Sequence, residues 1–135
     1  MSILAVHAAA TLAMAGLIWF VQIVHYPLMA AVGHREFVSY EQAHTRRTTS
    51  VVGPLMLAEA ATAGMIAVAT PDFLRLAGVA LLGVIWLSTA ALQVPLHRRL
   101  SSGKDDAAIA ALVRGNWIRT VAWTVRGVIA LALLA

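Results

Sequence analysis

The sequence predicts an all-α membrane protein, an antiparallel bundle of four transmembrane helices with the N and C termini outside the cytoplasm. Of its 135 residues, 61% are hydrophobic and 12% are charged, and the mean hydropathy is +0.82. Soluble domains are typically about half apolar and a quarter charged. Four apolar stretches are also long enough to cross a hydrocarbon core about 30 Å thick. These observations favour lipid over water as the solvent of the chain.

The four predicted spans are residues 3–24, 51–70, 73–94 and 117–135. They occupy most of the chain, so we expect a single membrane domain over residues 1–135. Helices are expected because every backbone polar group in lipid needs an internal partner. No Lys or Arg precedes the first span, which is also too long for a typical signal-peptide core, so we interpret it as a retained helix.

The basic residues indicate the orientation of the bundle. Seven of them fall in the two longer connections, 26–50 and 95–116, and they are Arg35, Arg46, Arg47, Arg98, Arg99, Lys104 and Arg114. The opposite side has only Arg75 at the start of the third span. The positive-inside rule therefore places both connections in the cytoplasm and predicts a multi-pass protein of the cell inner membrane. The net charge of +4 is expected to face anionic lipid headgroups, and no nucleic acid is expected as a partner.

Local signals predict where the helices begin and end. Pro27 predicts that the first helix ends there, since proline lacks an N–H donor and restricts the preceding residue. Residues 28–50 fit either an amphipathic segment at the interface or an early start of the second helix. Pro54 predicts a first-turn position or a kink. Asp105 and Asp106 are expected to cap a short helix before the fourth span.

The ends of the first and third spans are similar in sequence. Gln22, His25, Pro27 and Leu28 end the first, and the run Gln93-Val-Pro-Leu-His97 ends the third. This similarity suggests a repeat of two helical hairpins, although the spacing differs by a residue or two. Such repeats are one way in which membrane proteins build sites at the centre of a bundle.

Two ionisable residues are predicted near the middle of the membrane. Glu59 lies eight residues into the second span and Arg126 nine residues into the fourth, both counted from the cytoplasmic side. A lone charge at that depth costs at least about 2.5–3.5 kcal/mol. We therefore expect Glu59 and Arg126 to form an ion pair, which either fixes the helix register or supports the floor of a functional site.

A second polar layer is predicted nearer the cytoplasm. Its members are Gln22 and His25, Gln93 and His97, Asn116 and Arg119, with Glu41 and His44 reaching it from the first connection. Spacings of three and four residues place each of the first two pairs on one helix face. The chain has no cysteine, so any metal must rest on His, Glu, Asp or Asn side chains. His25, His44, His97 and Glu41 are the expected ligands of a non-haem metal, and haem with axial histidines is the alternative cofactor.

This layer also has a simpler interpretation, because His, Tyr, Trp and Arg are common anchors at the membrane interface. Gln22 and Gln93 lie one turn deeper than the histidines, where anchors are not needed. Their position favours a cofactor-binding role for His25, His97, Gln22 and Gln93.

Two segments resemble a known family. They are Gln93-Val-Pro-Leu-His-Arg-Arg-Leu100, and Asn116-Trp-Ile-Arg-Thr-Val-Ala-Trp123 continuing to Arg126. They look like the anthrone-oxygenase-like family of small four-helix integral membrane proteins. A Val-Pro-Leu-Asn type motif ends the third helix there, and a Trp and Arg pattern opens the fourth. His97 replaces the expected Asn, which departs from anthrone oxygenation and favours metal or haem binding. The first helix is also similar in architecture to small haem-binding protoporphyrinogen-oxidase-like membrane proteins.

The resulting hypothesis is a membrane oxidoreductase or oxygenase that acts on a hydrophobic small molecule arriving from the lipid bilayer. Arg119 and Asn116 would stabilise negative charge on a phenolate or enolate oxygen, and Glu59 and Arg126 would support the pocket. One alternative is a proton-coupled or solute-conducting protein, which would need to form a homo-oligomer because four helices leave a narrow pathway. A structural or accessory membrane subunit is the other alternative.

Overall fold

The computed structural model describes residues 2–135 and is all-helical, as predicted. Four long helices follow one another, α1 Ile3–Met29, α2 His34–Ala69, α3 Phe73–Leu100 and α4 Asp106–Ala132. Only short connections separate them. By length and composition, α1, α2 and α3 can each cross a membrane.

The helices α1 and α3 each contain one π-helical turn, Val21–His25 and Thr89–Gln93. In both, the residue after the turn donates its N–H to the carbonyl of the first residue of the turn, and a proline follows. A proline ring normally collides with a carbonyl of the preceding turn. The wider π turn displaces those carbonyls, so the helix continues past Pro27 to Met29. The predicted end of the first helix at Pro27 is therefore wrong.

The two π turns also show that the helix ends repeat. Each turn spans five residues and ends two residues before a proline, Pro27 in α1 and Pro95 in α3. In this alignment His25 corresponds to Gln93. The repeat is therefore present in the backbone, but the two glutamines Gln22 and Gln93 are not equivalent positions.

The predicted connections are largely helical. For residues 28–50, the early start of the second helix is confirmed, because α2 begins at His34. Pro54 lies inside α2, so a first-turn position is wrong. The third helix extends past residue 94 to Leu100, and the fourth begins at Asp106 instead of residue 117. The remaining connections are short. Lys104, in the connection between α3 and α4, donates to the main-chain carbonyls of Ala30 and Val32, in the connection between α1 and α2.

The helices form a ring in the order α2, α1, α4, α3, in which neighbouring helices are antiparallel. Packing is close between α1 and α2, between α1 and α4, and between α3 and α4, whereas α2 and α3 contact each other less. We call the end that carries the 30–33 and 101–105 connections the loop end. The looser seam between α2 and α3 is the natural opening into the bundle.

Polar and apolar side chains are distributed as expected for a membrane protein. Buried polar residues include Glu41, Glu59, Asn116 and Arg126, each at most 2% exposed. Large apolar side chains point outward instead, and examples are Leu28, Leu57, Val68, Leu87, Val121 and Val128, all more than half exposed. In water, both the exposure of the apolar side chains and the burial of the polar ones would cost free energy. A lipid environment removes the first cost, and the hydrogen bonds described below reduce the second.

Asp105 is the N-cap of α4, and its carboxylate accepts the N–H of Ala108 at 3.0 Å. This bond, reinforced by Arg99, lowers the pKa of the Asp105 carboxyl below its ordinary value. The contribution to stability is therefore present at neutral pH and lost as the pH falls through that lowered pKa. We expect Asp105→Ala to lower the thermal unfolding midpoint at pH 7 and to have a smaller effect in acid. Asp105→Asn, which can still cap the helix, is the matched control.

Candidate functional site

A cavity of about 550 Å³ lies between the four helices in the loop-end half of the bundle. Its exposed lining side chains all belong to α2 and α3, and they are Thr49, Leu57, Trp86 and Val94. The cavity therefore opens through the looser α2–α3 seam, which faces the surrounding lipid if the helices cross a membrane. Its inner wall is mostly apolar, with Met14, Leu17, Ile18, Val21, Met56 and Trp123.

Ionisable and aromatic side chains meet at the loop end of this cavity. The imidazole Nδ1 of His97 lies 2.5 Å from Oε1 of the fully buried Glu41, and its Nε2 lies 3.0 Å from the Tyr26 hydroxyl. The Nε2 of His25 lies 2.7 Å from Nδ1 of His44. His44, His97 and Tyr26 line the cavity directly. We call His25, Glu41, His44 and His97 the His/Glu cluster.

The hydrogen bonds assign roles to the ring nitrogens of His97. A carboxylate only accepts, so Nδ1 carries the hydrogen that is donated to Glu41. Nε2 then accepts from the Tyr26 hydroxyl in the neutral ring. The second carboxylate oxygen of Glu41, Oε2, is buried and has no hydrogen-bond partner within residues 2–135. An unsatisfied anionic oxygen in a buried site is costly, and a cation would satisfy it.

The cluster has the donor atoms of a metal site. One ligand atom from each of Glu41, His44 and His97 lies within 4.8 Å of the others. Two imidazoles and one carboxylate form the ligand set of non-haem iron oxygenases, and similar sets hold zinc and manganese. The four residues predicted as metal ligands are therefore close together, with His25 in contact with the outer side of His44.

The π turn in α1 separates two residues that were predicted to share one face. The side chain of His25 reaches α2, where it meets His44. Gln22 turns instead to α4, where its amide donates to the carbonyl of Val113 at 3.1 Å and accepts from Asn116 at 2.9 Å. A π-helical turn holds more residues than an α-helical one, so a spacing of three no longer aligns side chains. The shared face predicted for Gln22 and His25 is wrong, and Gln22 does not line the cavity.

Arg119 brings a cation to the cavity wall. Its Nε donates to the Asn116 side chain at 3.0 Å, one terminal nitrogen lies 3.3 Å from the Thr89 hydroxyl, and the guanidinium lies over the Trp123 ring. Asn116 itself is fully buried behind Arg119 and does not line the cavity. Asn116 thus orients Arg119, while Arg119 is the group that can meet a ligand.

The predicted pair of charges lies deeper in the bundle. Arg126 donates to Oε1 of Glu59 at 3.2 Å, which confirms the expected ion pair, and it also donates to the carbonyl of Gly78. The other carboxylate oxygen of Glu59 accepts the indole N–H of Trp123 at 2.9 Å. Neither Glu59 nor Arg126 lines the cavity. Since Trp123 does, the pair fixes one cavity wall through this indole.

Gln93 is a predicted residue whose side chain makes no hydrogen bond to the described part of the chain. It is 2% exposed and lines the cavity, yet neither its amide nitrogen nor its amide oxygen has a partner in the described part of the chain. Its neighbour on the same face, His97, also lines the cavity, as the spacing of four predicted. Buried amides are normally paired, so Gln93 indicates where a ligand could bind.

Sequence reasoning missed Tyr26, Thr89 and Trp123 as parts of the site. Tyr26 is 4% exposed and bonds to His97, although tyrosine beside a predicted helix end is typical of an interface anchor. Its position next to His25 was the available signal. Thr89 was recognisable only as a polar residue in an apolar span.

Gly53 offers a way to close the cavity without disturbing the bundle. It lies in α2 on the cavity wall, and a Cβ atom there would meet no other atom within 4 Å. We expect Gly53→Leu to fill cavity space and to keep or raise the unfolding temperature, because glycine disfavours a helix interior. Binding of a hydrophobic dye added to the detergent-solubilised protein should fall. Gly64→Leu, also in open space but away from the cavity, should leave dye binding unchanged.

The chain matches no protein-family model, and the comparisons with curated proteins and with solved structures find no match. The resemblance to the anthrone-oxygenase-like family therefore stays a prediction from two segments, and the argument for function rests on the site itself.

Proposed function

We propose that this protein is a multi-pass integral membrane protein that binds a hydrophobic small molecule from the bilayer and acts on it as a metal-dependent oxidoreductase. One observation carries the proposal. The cavity that opens through the α2–α3 seam ends at His44 and His97, which belong to the His/Glu cluster. A lipophilic molecule entering from the side would thus meet the candidate metal site.

The membrane arrangement in this proposal includes all four helices. The fourth, α4, is 27 residues long, but Asn116, Arg119 and Arg126 reduce its apolar character. Those three side chains are buried against the other helices, and its exposed positions include Val121, Val128 and Leu131, so its outer face can contact lipid. The basic residues at the loop end favour a cytoplasmic location for that end, in the inner membrane of the cell.

The geometry favours a non-haem metal over haem. The ligand atoms of Glu41, His44 and His97 are close enough for one ion, and the partnerless Oε2 of Glu41 adds an anionic donor. His25 and His44 are stacked with ring centroids 4.4 Å apart, and the centroid of His97 lies 5.2 Å from that of His44. Rings packed this closely leave no space for a macrocycle between them. A redox-active divalent ion in this ligand set would supply dioxygen chemistry.

The other residues of the site bind and orient. In the free protein Glu41 orients the ring of His97 by accepting from Nδ1, and a metal ion held by both residues would take the place of that hydrogen. Arg119 presents a positive charge to the cavity, held in place by Asn116. The Glu59–Arg126 pair holds Trp123 against the bound molecule. The contacts that hold Arg119 and Trp123 are already made in the free protein, so this part of the site is preorganised.

Oxygen consumption tests the proposed activity. The protein in mild detergent would be loaded with Fe²⁺ and mixed with a lipid extract of the host membrane, and dioxygen uptake followed with an electrode. We expect uptake that depends on both iron and extract and is absent in His44→Ala/His97→Ala. His34→Ala is the matched control, because His34 is exposed at the start of α2. Equal uptake by the double variant and the unchanged protein would argue against the proposal.

Proton transport receives less support from the structure. Both carboxylate oxygens of Glu59 already accept hydrogen bonds, and Arg126 is buried beside it. A fixed, fully bonded ion pair favours a role in packing over one in proton exchange.

A further inference from the structure

We propose that the ligand of this cavity is a lipophilic carboxylate, an amphipathic acid with one long apolar chain, whose carboxylate is held by Arg119 and Gln93. The inference deepens the proposed function by naming the class of molecule that binds. It rests on the proposed function because it takes this cavity as the binding site, but it does not require a metal.

The cavity wall carries an uncompensated positive charge. Arg119 is 9% exposed and lines the cavity, and its assigned hydrogen bonds go to the neutral oxygens of Asn116 and Thr89. None of the ion pairs within residues 2–135 includes Arg119. A guanidinium cannot lose its charge in a protein, and buried charges are normally paired. The cavity next to Arg119 therefore favours an anion.

Gln93 is a second polar group that a ligand in the cavity can satisfy. Its buried amide group has no partner in residues 2–135, and it lines the same cavity as Arg119. The two groups are adjacent in the fold, because Thr89, which contacts Arg119, and Gln93 are the first and last residues of one π turn. Gln93 can donate to one oxygen of a carboxylate while Arg119 donates to the other. The two oxygens of a carboxylate match the forked donors of arginine.

The charge of Arg119 also distinguishes a carboxylic acid from a phenol as the ligand. A carboxylic acid is ionised at neutral pH, whereas a phenol keeps its proton. Only the carboxylate therefore neutralises Arg119 before any reaction takes place. The remaining wall is apolar, and the cavity continues to the α2–α3 seam past Leu57 and Trp86. A chain extending from the carboxylate could leave through that seam into lipid, so a long acid fits better than a compact one.

Tryptophan fluorescence tests the proposal, because Trp86 and Trp123 line the cavity. Dibrominated stearic acid, whose bromine atoms quench nearby indoles, would be titrated into the metal-free protein in non-ionic detergent at pH 7.5. The methyl ester of the same acid measures partition of the chain into the micelle without the charge. We expect saturable quenching by the acid and at least tenfold weaker quenching by the ester.

Variants separate the charge from the chain. Gln93→Leu and Arg119→Gln should each weaken binding of the acid by about 10- to 100-fold and leave quenching by the ester unchanged. Gln93→Leu is the safer variant, since its amide has no hydrogen bond to lose. A long-chain alkylphenol should not displace the brominated acid at this pH, whereas stearate should.

Three results would overturn the inference. They are equal quenching by acid and ester, acid binding that is unchanged in both variants, and displacement by the alkylphenol as effective as by stearate. Because the protein is metal-free in this experiment, failure here leaves the metal site untouched. Conversely, a protein that binds the acid but no metal would retain this inference and lose the proposed oxidoreductase.

Discussion

Replacing Glu59 by glutamine is expected to destabilise the folded protein by about 3–5 kcal/mol, the typical cost of removing one partner of a buried ion pair. Glu59 is fully buried and Arg126 is 2% exposed, and their contact is 3.2 Å. Glutamine keeps the shape of the side chain and can still accept from Trp123, so the lost charge is the main change. Arg126 would then remain as a buried cation without a counterion.

Thermal unfolding in detergent, followed by circular dichroism, measures the effect. Glu59→Gln/Arg126→Met removes both charges and should recover much of the lost stability, because no buried charge is then left without a partner. Asp72→Asn is the control, since it neutralises the exposed Asp72–Arg75 pair and still caps α3. An exposed pair contributes about 1 kcal/mol or less. If Glu59→Gln changed stability no more than Asp72→Asn, the pair would not be holding the bundle together.

Loss of metal affinity is the second large effect expected. His97→Ala removes a ligand and should weaken binding of Zn²⁺ or Fe²⁺ by about 100-fold or more, since even supporting residues contribute 10- to 100-fold. Glu41→Gln removes an anionic donor and the group that orients His97, so we expect a loss of similar size. Competition with a chromophoric chelator measures the affinity of each variant.

Glu36→Gln is the matched control for Glu41→Gln. Glu36 lies in the first turn of the same helix, α2, where its side chain is exposed. It should leave metal affinity unchanged. Imidazole binds metal only in its neutral form, so affinity for the unchanged protein should also fall as the pH is lowered from 8 to 5. Similar affinities for Glu41→Gln and Glu36→Gln would remove Glu41 from the site.

Much of the bundle follows from the sequence because its causes are local. Runs of apolar residues predict the helices, and the cost of a lone charge in lipid predicts the Glu59–Arg126 pair. The proximity of His25 and His97 also follows, since each was expected near the end of a helix at the same membrane depth, and His44 was expected to reach them from the first connection. These expectations use only helix geometry and depth, which one sequence supplies.

The details of the site depend on packing that a single sequence does not display. Pro27 predicts a helix end in isolation, whereas in the bundle a π turn accommodates it and directs His25 and Gln22 to different helices. The inward position of Tyr26 depends on the same turn. The cavity depends on the loose contact between α2 and α3, which no local pattern indicates.

The most direct test of the central claim is a titration of the metal-free protein with Co²⁺, recorded by visible absorption in detergent. We expect ligand-field bands that saturate at one Co²⁺ per chain, that are lost in His44→Ala/His97→Ala, and that shift when dibrominated stearic acid is added. Bands that persist unchanged in the double variant, or no bands at all in the unchanged protein, would contradict the claim that the His/Glu cluster binds a metal at the end of the cavity.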